Sequence, residues 1–128
     1  MSRGQLWTAR VMATVAVLFL TFDATIHILS PQMVQDASLQ LGLPVGLMVQ
    51  MGILEAILIV LYLVPRTAIL GAVLWTGYLG GAVFTNLRVG LPLASHVLFP
   101  TYIGLLLWGS LWIQEPRLQA LFPLRNKA

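Results

Sequence analysis

Cysteine is absent from this chain and charge is scarce, with seven Lys and Arg against four Asp and Glu in 128 residues. Without cysteine there is no disulfide framework, no thiol nucleophile and no dithiol relay of the vitamin-K-reductase kind. The few basic residues are scattered at segment ends and form no run that would track a phosphate backbone, so nucleic acid is excluded as a partner. Internal repeats and low-complexity stretches are also missing. Arg3 and Arg10 ahead of Val11–Phe22 have the look of a signal peptide, but no small-x-small cleavage site follows. Asp23 and His27 interrupt the place where one would lie, so the segment is expected to stay as a helix.

What is present is hydrophobic: 59% of the residues are apolar. Four apolar stretches, about 11–29, 43–64, 67–87 and 95–113, occupy most of the chain. Each is close to the roughly 20 residues that cross about 30 Å of hydrocarbon. They predict an all-α fold, an integral membrane four-helix bundle formed as one transmembrane domain over residues 1–128. Lys and Arg concentrate at Arg3, Arg10, Arg66, Arg117, Arg125 and Lys127, leaving only Arg88 near the other two connections. By the positive-inside rule both termini are cytoplasmic, an N-in/C-in topology.

The connections carry their own signals. Ser30-Pro31 is a helix stop. Beyond it, Met33, Val34, Ala37 and Leu41 recur at helical spacing, as in a short helix on the outer membrane surface, with a plain polar loop as the equal alternative. The tight Val64-Pro-Arg-Thr67 link makes the second and third spans antiparallel neighbours. The tail 114–128 sets Leu118, Leu121 and Phe122 beside basic residues, which suits a segment resting on anionic headgroups.

Against this background seven polar residues stand out within or beside the spans: Asp23, His27, Glu55, Thr85, Asn86, Arg88 and His96. A charge at the centre of a membrane helix costs about 2.5–3.5 kcal/mol on translocon scales, so such residues usually face a partner, a cavity or a ligand. Asp23 and His27 are i, i+4 and share a face. With both ends inside, six of the seven fall in the outer half, and an Asp23–Arg88 pair balances their charges most cheaply. Glu55, roughly 18 Å down the second span by helical rise, is expected nearer mid-bilayer, uncharged and bonded to Tyr78 or a water. Gly77, Gly81 and Thr85 form a small-residue stripe that, with Arg88, reads as one wall of a polar pocket. Pro100 lacks an N–H and frees the carbonyl of His96.

The stretch Gly77-Tyr-Leu-Gly-Gly-Ala-Val-Phe-Thr-Asn-Leu-Arg-Val-Gly90, then Pro92, His96-Val-Leu-Phe-Pro100 and Leu107-Trp-Gly109, resembles the DoxX-like family of small four-helix membrane proteins. Pro31, Gly52-Ile-Leu-Glu55, Val64-Pro-Arg66 and the tail Pro116–Arg125 extend the likeness over nearly the whole chain. One position departs: relatives often carry His after the Thr, where this chain has Asn86, which does not titrate. The resemblance implies a bacterial inner-membrane bundle, with a family name taken from a subunit of a quinone-linked sulfur oxidoreductase. Distant four-helix relatives of the emopamil-binding kind include sterol isomerases and ligand-binding proteins.

These observations support a protein that binds an amphipathic, quinone- or lipid-like ligand as subunit or partner of a membrane oxidoreductase. The head would meet Tyr78, Thr85, Asn86, Arg88 and His96. Two alternatives stay open: a standalone isomerase or hydratase, with His27 oriented by Asp23 as base and Glu55 as acid, or a non-catalytic accessory subunit. His27 and His96 at similar depth are the basis for haem, and Asp23 could join a metal site, but two histidines in a bundle are more commonly hydrogen-bonded wall residues. No metal set is therefore predicted.

Overall fold

The computed structural model describes residues 1–127. Its elements in chain order are α1 (Arg3–Leu29), α2 (Gln32–Gln40), α3 (Val45–Leu63), α4 (Ala68–Arg88), a π-helical turn (Leu93–Val97), α5 (Phe99–Gln114) and α6 (Pro116–Leu121). Four helical segments, with the π turn and α5 counted together, are long and apolar enough to cross a membrane. They pack as a ring in which α1 meets α3, α3 meets α4, α4 meets α5 and α5 returns to α1.

Helix α1 begins well before the expected residue 11. Ser2 caps it with a reciprocal box, its Oγ accepting from Gln5 N–H while the Gln5 side chain accepts from Ser2 N–H. Two otherwise orphaned donors are satisfied, which lets the helix run out past the apolar stretch. It ends where Ser30 turns into the left-handed region (φ 48°) ahead of Pro31. The expected short helix after it exists as α2, but its buried face is Val34 and Ser38, with Met33 and Ala37 exposed. The fourth span is broken as Pro100 required: the π turn ends at Val97 and α5 restarts with Pro100 in its first turn, where a missing N–H is harmless.

The bundle is closely packed toward the end that holds both termini. Trp75, Leu107, Ala16 and Ala72 are almost wholly buried there with Leu58 and Tyr62. Ser110 donates to the Ala9 carbonyl at 2.7 Å, and Tyr62 donates to the Leu107 carbonyl at 2.7 Å. A buried neutral hydrogen bond contributes about 1 kcal/mol, so Tyr62→Phe is expected to lower stability by that amount. An SDS unfolding titration of the purified protein measures it, and an unchanged midpoint would show the bond to be idle.

Outward faces stay apolar: Leu18, Phe22 and Leu105 are each about two-thirds exposed, at 66%, 63% and 64%. A water-soluble bundle would not present such a belt, whereas hydrocarbon solvates it without penalty. The tail does not splay away. Trp112 Nε1 donates to the Phe122 carbonyl at 2.9 Å, and the Trp108 and Phe122 rings stack 6.3 Å apart, folding the segment back along α5.

Candidate functional site

At the opposite end, below α2 and the π turn, the helices part around a cavity of about 610 Å³. Its wall is mostly apolar, built from side chains such as Phe19, Leu20, Leu47, Met48 and Ile103. Polar groups enter from two helices: Asp23 and His27 from α1, and Tyr78, Thr85 and Asn86 from α4. Gly77 and Gly81 create part of the room. A Cβ at either would meet nothing within 4 Å, so these glycines are not seats for a neighbouring helix. Of the expected polar wall, Gly77, Gly81 and Thr85 line the cavity and Arg88 does not, and the glycines provide space rather than close packing.

Close packing is supplied elsewhere. At Gly52 of α3 a Cβ would lie 2.8 Å from the Ala24 carbonyl oxygen and 2.9 Å from His27 Cβ, so only glycine lets α1 and α3 approach this far. Three residues further along α3, the contact brings Glu55 onto His27. His27 Nδ1 lies 2.6 Å from Glu55 Oε1 and 3.5 Å from Asp23 Oδ2. The Tyr78 hydroxyl donates to the same Glu55 oxygen at 2.5 Å. Glu55 is fully buried, and its second oxygen Oε2 has no hydrogen-bond partner among the described residues. One carboxylate therefore joins α1, α3 and α4.

This arrangement confirms Tyr78 as the partner of Glu55 and corrects the placement of the acid, which is not isolated but joined to Asp23 and His27. The Asp23–Arg88 pair does not form. Arg88 instead donates through Nη2 to the Leu41 carbonyl, tying the end of α4 to the α2–α3 connection. A carbonyl at the end of a helix is an orphan acceptor, and a guanidinium at the bundle's rim satisfies it while keeping water contact.

Asn86 lines the cavity and also donates through Nδ2 to the His96 carbonyl at 3.0 Å, the acceptor that Pro100 leaves free. His96 itself is exposed with Nδ1 2.8 Å from Ser95 Oγ, so neither it nor Arg88 belongs to the cavity wall. Thr85 returns its hydroxyl to the Gly81 carbonyl. Of the seven polar residues, Asp23, His27 and Glu55 form one cluster, Thr85 and Asn86 lie along the cavity, and Arg88 and His96 brace the rim.

Sequence reasoning missed the apolar wall and the core residue Trp75 that backs Tyr78. The Trp75 indole is completely buried, packs edge-on against Tyr78 at 5.3 Å between ring centroids, and has no partner for Nε1 among the described residues. Nothing in an unbroken apolar stretch distinguishes a wall residue from a lipid-facing one. Met48 and Met51 are the one faint signal, since thioethers suit adaptable surfaces.

Fold and site together define a multi-pass helical membrane protein with a part-open cavity between its helices and one ionisable cluster beside it. The chain belongs to the DoxX-like family, whose profile matches residues 11–110. No curated protein and no solved structure matches it.

Proposed function

We propose that this protein binds a small amphipathic molecule, quinone- or lipid-like, with its apolar body in the cavity and its polar head toward Asp23 and His27. The observation that carries this reading is the cavity. Its volume, about 610 Å³, falls within the roughly 300–1,000 Å³ typical of small-molecule pockets. Its composition fits as well, a greasy wall with a few convergent polar groups. The basic residues at the terminus-bearing end favour both termini in the cytoplasm of a bacterial inner membrane. The cavity then faces the outer half of the bilayer. The oxidoreductase setting is what the family likeness suggests, with this chain as subunit or partner.

Organic extraction of the purified protein followed by mass spectrometry tests the binding. We expect an isoprenoid or lipid species retained near one per chain in wild type and depleted in Gly81→Leu, whose side chain intrudes on the cavity. Equal retention by both would sink the reading.

One observation favours acid–base chemistry as a second reading. His27 lies between two carboxylates, one of which also holds the Tyr78 hydroxyl, so a proton at Nδ1 has acceptors on both sides. On this reading His27→Ala and Glu55→Gln both fail to complement a deletion strain while remaining folded. Full complementation by both removes it.

A further inference from the structure

We propose that Asp23, His27 and Glu55 form a binding site for a first-row divalent metal ion of the manganese-to-zinc class. The site does not depend on whether an organic molecule occupies the cavity. Each residue offers one donor atom, and all three atoms lie within 4.8 Å of one another. Ions of this class bind nitrogen and oxygen at about 2.0–2.2 Å, so donors sharing one ion lie roughly 3–3.5 Å apart. The 3.5 Å between His27 Nδ1 and Asp23 Oδ2 already has that spacing, and the 2.6 Å to Glu55 Oε1 reaches it by a small side-chain rotation.

Three further features point to a cation. The first is the orphan oxygen: Glu55 Oε2 is fully buried without a hydrogen-bond partner among the described residues, on a carboxylate already aimed at the cluster. A metal bound by both oxygens of Glu55 satisfies it. The second is charge. Two carboxylates, a neutral imidazole and a dication sum to zero, so the loaded site leaves no net charge among the apolar helices. The third is support, because the Tyr78 hydroxyl orients Glu55 in the way outer hydrogen bonds hold metal ligands.

The donor set narrows the ion. Oxygen with one imidazole and no thiolate suits manganese, iron, cobalt or zinc(II), and the imidazole disfavours magnesium and calcium. Three protein ligands, giving four donor atoms when Glu55 binds through both oxygens, leave positions open on a six-coordinate ion. Asp23 and His27 line the cavity, so those positions face it and the ion has an entry path.

Full-length protein in mild detergent, stripped with chelator, is titrated with Co²⁺ alone. The expected result is one Co²⁺ per chain with visible ligand-field bands that Zn²⁺ abolishes. Asp23→Asn and Glu55→Gln are each expected to weaken binding on the order of 100-fold or more, and Tyr78→Phe on the order of 10-fold. Helical circular dichroism checks the fold. If Glu55→Gln does not fold, Asp23→Asn, altered on the cavity side, decides. A featureless cobalt spectrum with substoichiometric metal in wild type overturns the proposal, as does undiminished binding in a folded Asp23→Asn variant. Neither outcome bears on the retained organic molecule, which extraction reads separately.

Discussion

Glu55→Ala is expected to be the most damaging single substitution in this protein, lowering stability by about 3–5 kcal/mol, the usual cost of removing one member of a buried charged cluster. The residue is wholly buried and its Oε1 serves His27 of α1 and Tyr78 of α4 at once. Alanine leaves the Tyr78 hydroxyl without its partner and His27 with only the more distant Asp23, and opens a void between three helices. Glu55→Gln is expected to cost less, because its amide oxygen still accepts from Tyr78. Thermal melts in detergent, followed by helical circular dichroism, rank wild type above Gln above Ala. An alanine variant that melts with wild type would mean the cluster contributes nothing to holding the helices together.

The second large effect separates glycines that sequence alone cannot tell apart. A Cβ on Gly71 would lie 2.6 Å from the Tyr62 backbone nitrogen and 2.8 Å from its Cα, and backbone cannot swing aside as a side chain can. Gly71→Ala is therefore expected to push α3 and α4 apart and cost about 1–3 kcal/mol. Gly81→Ala meets open space and exchanges a poor helix former for the best one, worth up to about 1 kcal/mol in its favour. The two substitutions are chemically identical and should move the SDS unfolding midpoint in opposite directions. The same sign for both would mean that the helix spacing relaxes freely.

The failed expectations share one cause. The Asp23–Arg88 pairing and the isolated Glu55 both assumed that every span starts at the same depth. Glu55 is ten residues into α3, about 15 Å of helical rise, and yet it meets His27, two residues from the end of α1. Helix α1 therefore stops short of the level at which α3 begins. The chain covers the difference through α2, which packs beside α3. Arg88 sits at that higher level, within reach of Leu41 and away from the acids. Depth counted along one helix carries no information about the vertical offset between helices.

Sequence by itself determined the number of spans, the break at Pro100 and the membership of nearly every expensive polar residue in one half of the bundle. Length, hydropathy and proline stereochemistry act within a segment, so they can be read from it. Only the tertiary structure decided which glycines make contact and which make space, and that Asp23, His27, Glu55 and Tyr78 meet. Those outcomes depend on how far each helix is rotated and slid against its neighbours. Packing between faces sets these quantities, and for Glu55 the decisive contact is the Gly52 approach of α3 to α1.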